Sequence, residues 1–111
     1  MAKADLETSR LLHQQGDLLL EQGKFDEAES AYRRALRIEP GLADTHYRLG
    51  LACQRQGKID DAVIAYQQTI AIAPDHGLAH SGLGDIFAAH GLFDAAEAVY
   101  RRFFEVECRK S

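Results

Sequence analysis

The stretch ADTHYRLGLACQRQGKIDDAVIAYQQTIAIAP, residues 43–74, carries an ordered series: Leu49-Gly50, then Gly57, Ala62, Tyr66 and Pro74. The same series recurs on both sides at an offset of 34 residues, so that Gly16, Gly50 and Gly84 align, as do Gly23, Gly57 and Gly91. Ala28, Ala62 and Ala96 follow, and then Tyr32, Tyr66 and Tyr100. A series kept in order through three copies defines a repeat array, in which each unit buries its apolar face only by stacking on a neighbour.

Each copy reads as two helices around a short turn. In the first, a helix runs from Ser9 to about Gln22, the chain turns at Gly23-Lys24-Phe25, and a second helix runs from about Asp26 to Ile38 before Glu39-Pro40. Glycine supplies the permissive turn backbone and proline ends the pair. Asp26 is the expected N-cap of the second helix, with Glu29 completing a capping-box-like pair; Asp94 and Glu97 do the same in the third copy, and Asp60 caps without a glutamate. Close helix approach is expected where side chains are nearly absent, pairing Gly16 with Ala28, Gly50 with Ala62 and Gly84 with Ala96. Leu19, Phe25 and Tyr32, then Cys53, Ile59 and Tyr66, then Phe87, Phe93 and Tyr100, are expected to fill the space around those contacts.

This period and these residues resemble the tetratricopeptide repeat (TPR) family across about residues 9 to 110. The resemblance implies an all-α fold of three antiparallel helix–turn–helix pairs, six helices, stacked as a right-handed α-solenoid with the first helices lining a concave groove. The expected organisation is a lead-in at 1–8 that extends the first helix, TPR 1 at 9–42, TPR 2 at 43–76 and TPR 3 at 77–111.

The ends depart from the pattern. Gln15 stands where Leu49 and Leu83 stand later, as suits a helix with no repeat before it. In the third copy Phe103 replaces Ala35 and Thr69, Cys108 replaces Pro40 and Pro74, and no capping helix follows. Phe104 and Val106 are therefore expected to be partly open, and Phe103, Phe104 and Val106 are the candidate oligomer or continuation face. A longer chain, pairing of two chains and self-shielding by the helix end are the three explanations.

At 111 residues the chain is large enough to hold a core without disulfide or metal. Cys53 and Cys108 lack CxxC or zinc-finger spacing and read as free thiols of a reducing compartment, Cys53 in the core. With no long apolar run, a cytoplasmic protein without membrane partners is expected. The net charge of −4, from 13 basic and 17 acidic residues, gives no general attraction to nucleic acid, and Arg33, Arg34 and Arg37 read as a solvated outer face. No phosphate loop, nucleophile elbow or HExxH is present, so neither an enzyme nor a cofactor is expected.

Among the histidines, His46 and His80 occupy the fourth position of their first helices and are assigned to packing. His76 and His80 have HxxxH spacing, but His76 falls in the inter-repeat turn beside Asp75, and no metal site is assigned. His90 is expected to be exposed near a turn. Positions that face inward in family members supply the candidate groove: Arg10, His13, Gln14, Asp17 and Glu21; then Asp44, Tyr47, Arg48, Leu51 and Arg55; then Leu78, Ser81, Gly82, Asp85 and Ala89. Tyr47, Arg48 and Leu51 form its centre. Family members that bind chaperone tails resemble one another in a carboxylate clamp of lysine, asparagine and arginine. The matching positions here are His13, Asp17, Arg48, Leu78 and Gly82, so the clamp is absent.

The function these features imply is a non-catalytic module binding a protein or peptide segment in the groove. The alternatives are a docking domain of a larger enzyme, such as a glycosyltransferase or methyltransferase, and a scaffold that self-assembles through the C-terminal helix.

Overall fold

The computed structural model describes residues 3–110, and every element among them is helical: α1 (Lys3–Glu21), α2 (Phe25–Ile38), α3 (Ala43–Arg55), α4 (Ile59–Ile72), α5 (Gly77–Ala89) and α6 (Phe93–Lys110). Consecutive helices pair as α1–α2, α3–α4 and α5–α6, and each pair stacks on the next through α2–α3 and α4–α5. The fold is thus an all-α solenoid of three helix pairs. The core runs along its length, from Ala28 and Tyr32 through Leu49, Cys53 and Tyr66 to Leu83 and Ile86.

The turn inside each pair is fixed by one glycine. Gly23, Gly57 and Gly91 have φ of 78°, 79° and 75°, the left-handed region that glycine alone enters without strain. Backbone bonds from Gly23 N–H to the Leu20 carbonyl and from Lys24 N–H to the Leu19 carbonyl then satisfy the end of α1. The second helices begin two residues earlier than the capping pattern predicts. Lys24 and Lys58 occupy the N-cap positions of α2 and α4 with no side-chain cap bond, placing Asp26 and Asp60 inside the first turn. Asp94 likewise lies in the first turn of α6. There these carboxylates face the positive end of the helix dipole. Glu29 does not complete a capping box; it reaches the next repeat instead.

At the close approach inside each pair, the side chain nearest each glycine is a tyrosine. A Cβ on Gly16 would lie 2.6 Å from the Tyr32 ring, one on Gly50 would lie 2.5 Å from Tyr66, and one on Gly84 would lie 2.5 Å from Tyr100. Each glycine is the floor on which the tyrosine of its own repeat lies flat. Tyr66 is enclosed from the far side as well, since a Cβ on Gly82 of the following repeat would lie 3.2 Å from its ring.

The turns between pairs are held by histidine. His46 Nε2 lies 2.8 Å from the Pro40 carbonyl and His80 Nε2 lies 2.8 Å from the Pro74 carbonyl, the same contact one repeat apart. His80 is fully buried, so its packing role includes a hydrogen bond that ties α5 to the preceding turn. The corresponding residue in the first repeat is Leu12, which is buried.

Candidate functional site

The inner helices α1 and α3 bring five of the groove candidates together, His13, Asp17, Asp44, Tyr47 and Arg48. Tyr32 donates its hydroxyl to Asp17 Oδ1 at 2.6 Å, and the Arg48 guanidinium Nε lies 3.5 Å from the same oxygen. Arg48 Nε also donates to Asp44 Oδ2 at 3.3 Å. His13 spans two helices: Nδ1 is 2.8 Å from the Thr45 hydroxyl, while Nε2 is 3.2 Å from Asp17 and 3.8 Å from Asp44. From the turn between the second and third repeats, His76 Nε2 approaches Asp44 Oδ1 at 3.8 Å, and its ring meets Tyr47 at 4.9 Å between centroids. Tyr47 in turn packs against Tyr66, at 5.7 Å.

The electrostatics follow from these distances. Burial opposes the Arg48 charge, but Asp17 and Asp44 outweigh it and hold the guanidinium more basic than usual. Burial is the main reason the Tyr32 and Tyr47 hydroxyls resist ionisation, and the bond to Asp17 adds to it at Tyr32. Arg48 and Tyr47 remain partly exposed, so a cation and an aromatic face are presented to the groove with their positions already fixed.

His76 is the groove residue that sequence reasoning placed elsewhere. It is the N-cap of α5, with Nδ1 accepting the Ala79 N–H at 3.2 Å, which leaves Nε2 to carry the proton of the neutral ring toward Asp44. The available signal was its register: the residue before an inner helix abuts the inner helix of the preceding repeat. Asp44, already among the inward-facing residues, is the acidic hub of the cluster.

Other candidates lie apart. Arg55 sits with its guanidinium carbon 5.8 Å from the Phe25 ring centroid, at the far end of α3. Leu51 is packed on the core, Leu78 is exposed, and Ser81 and Gly82 are half-buried. Asp85 accepts the Tyr100 hydroxyl, as Asp17 accepts that of Tyr32. Leu51 occupies this position in the second repeat, and Tyr66 bonds Gln54 Oε1 at 2.7 Å instead. Two of the three acidic or aliphatic groove positions therefore anchor the tyrosine of their own repeat. Arg10 lines a cavity of about 440 Å³ with Ser9, His13, Glu39 and Asp44, beside the cluster.

The C-terminal face differs from expectation at Phe103 and at Phe93. Phe103 is half-buried, lying under the start of α5 with a Gly77 Cβ position 2.9 Å from its ring and the His80 ring 6.2 Å away. Phe104 is 69% exposed and Val106 is partly open. The apolar opening is completed by Phe93, expected in the core but 70% exposed, and by Tyr100 at 38%, whose counterparts Tyr32 and Tyr66 are fully buried. Phe93, Tyr100 and Phe104, with Ala88 and Ala96, line one shallow apolar depression.

Among the described residues no group of three or more His, Cys, Asp or Glu side chains is placed to hold a metal ion, and no helix is long and apolar enough to cross a membrane. His90, exposed at the end of α5, contacts the Ile86 carbonyl through Nδ1 at 2.8 Å.

Helix pairs joined by a glycine turn, stacked through tyrosines and presenting one continuous inner surface, define a helical-repeat protein of the kind built for macromolecular contact. A family model described as "Tetratricopeptide repeat" matches residues 13–76 and again 47–104, and the chain belongs to the TPR family. Among solved structures, the crystal structure of MamA aligns with a TM-score of 0.91 and 28% identity, over 95% of this chain and 61% of that one. The chain thus spans about three-fifths of the MamA chain it matches. The first TPR of Spaghetti (RPAP3), bound to the HSP90 peptide SRMEEVD, aligns with a TM-score of 0.84 and 24% identity, over 91% of this chain and 80% of that one. The Arabidopsis OM64 TPR domain aligns with a TM-score of 0.87 and 15% identity, over 95% and 87%. No curated protein sequence matches the chain.

Proposed function

We propose that this chain is a non-catalytic protein-interaction module that binds a peptide segment of a partner protein along its inner face, centred on Tyr47 and Arg48. One observation carries the reading: an aromatic ring and a guanidinium, both partly exposed, are held in place by residues of the first and second repeats and of the turn that leads into the third. Pre-positioned groups of this kind lose little conformational entropy on binding and are the usual anchors of protein interfaces. The free thiols Cys53 and Cys108 accord with a reducing, cytoplasmic setting.

The partner segment is not an acidic chaperone tail such as the one bound to the Spaghetti domain. At the corresponding positions Asp17 stands beside Arg48, Asp44 shares the same guanidinium, and Leu78 and Gly82 carry no charge. A peptide that donates hydrogen bonds to Asp44 and stacks an apolar or aromatic side chain on Tyr47 fits the cluster. The test is a peptide array probed with the whole chain, followed by calorimetry of the best binder. Tyr47→Ala and Arg48→Glu should each weaken its binding by about tenfold or more. Unchanged affinity in both variants moves the site off the groove.

The exposed Phe93, Tyr100 and Phe104 favour a second reading, in which the C-terminal face is itself a protein-contact surface.

A further inference from the structure

Resting on that second reading, we infer that the C-terminal face is a docking surface for the first repeat of another copy of this chain, joined head to tail. The first internal joint shows what such a contact requires. At the boundary between repeats 1 and 2, Glu29 of α2 is buried and receives Lys58 Nζ at 2.9 Å, Gln56 Nε2 at 2.8 Å and Arg33 Nε at 2.8 Å. Arg33 also lies 3.9 Å from Asp61. Thus α2 contributes Glu29 and Arg33, while the incoming repeat contributes Gln56, Lys58 and Asp61.

The two ends of the chain carry the separated halves of this arrangement. On α6, two repeats after Glu29 and Arg33, stand Glu97 and Arg101, already paired at 2.7 Å and both largely exposed. One repeat before Gln56, Lys58 and Asp61 stand Gln22, Lys24 and Glu27, all exposed. All five positions keep their chemistry. The second internal joint has none of it, since Val63, Gln67, His90 and Leu92 occupy the places of Glu29, Arg33, Gln56 and Lys58. A copied pattern at the two open ends, missing from the neighbouring joint, is charge complementarity between one copy's tail and another copy's head.

The apolar parts agree. Phe93, Ala96, Tyr100 and Phe104 repeat Phe25, Ala28, Tyr32 and Leu36 of the covered α2. On α1, Leu11 and Leu18 are 64% and 56% exposed, whereas Thr45 and Ala52, at the same positions of α3, are buried. Gln15 alone sets a polar group where the internal joints have leucine, so the contact between copies is weaker than the joint within one. Because head and tail are different surfaces, the contact is heterologous and continues the solenoid as an open filament rather than closing a dimer.

The experiment is sedimentation of the whole chain over a concentration series, with circular dichroism confirming that every variant is folded. Wild type should pass beyond the mass of a dimer without reaching a plateau. Leu11→Lys/Leu18→Lys blocks the head and Phe104→Lys blocks the tail, both at exposed positions. Each variant alone should be monomeric, and an equal mixture should form a dimer and stop there. Glu97→Lys should weaken assembly by about tenfold or more, and mixing it with Lys24→Glu should recover most of the loss. A head-blocked variant that still self-associates overturns the head-to-tail arrangement while leaving the C-terminal face as a contact between copies. A wild-type chain that stays monomeric throughout overturns both.

Discussion

Replacing Glu29 with glutamine tests whether the first inter-repeat joint is held by an ionised, nearly buried carboxylate. Burial by itself pushes the Glu29 carboxyl up, but hydrogen bonds from Lys58, Arg33 and Gln56 overcome it and hold the group at about 2, below its ordinary 4.5. A carboxylate depressed in the folded state contributes its full stabilisation above its unfolded pKa, and loses it as pH falls toward and through the folded value. Taken at face value the shift corresponds to about 3 kcal/mol at pH 7, of which about 2 kcal/mol are gone by pH 3. Lys58 and Arg33 are nearly half-open to water, 47% and 42% exposed, and solvent screening reduces the expected contribution to about 1–2 kcal/mol. Urea unfolding of wild type and Glu29→Gln at pH 7, 4 and 3 measures it, because the remaining carboxylates titrate alike in both proteins and cancel in the difference. The stability gap should shrink by about half or more between pH 7 and pH 3. A gap that is absent at pH 7, or that stays constant as the pH falls, refutes the role assigned to the charge.

Three further outcomes are expected. Tyr66→Ala should cost about 3–5 kcal/mol as the loss of a fully buried ring, and Tyr100→Ala about half as much because Tyr100 is partly open; a loss below 1 kcal/mol at Tyr66 in a denaturant titration removes it from the core. Gly50→Ala should destabilise by about 1–3 kcal/mol, since Tyr66 is caught between Gly50 and Gly82 and has nowhere to move, while Gly84→Ala should cost less because Tyr100 has open space beyond it. Burial, helped by the nearby Glu29 charge, pushes the Cys53 thiol up to about 11, so a thiol reagent should titrate Cys108 alone in the native chain and both cysteines in urea; rapid native labelling of Cys53 contradicts its burial.

Sequence by itself determined the fold, because the contacts that define one repeat lie within one repeat. The 34-residue offset, the turn glycines and the Gly16–Tyr32, Gly50–Tyr66 and Gly84–Tyr100 pairs are all local, and each of the three copies reports the same geometry independently. Even there the tyrosine ring is what lies nearest each glycine: aligned positions show which residues recur, and only side-chain reach shows which of them touch. Tertiary structure decided everything that crosses from one repeat to the next. The rotation between stacked pairs brings Glu29 to Lys58 instead of to its own helix start, and carries His76 to Tyr47 and Asp44. Those contacts depend on two units being set at a particular angle, and a period in the sequence carries the length of the unit but not that angle.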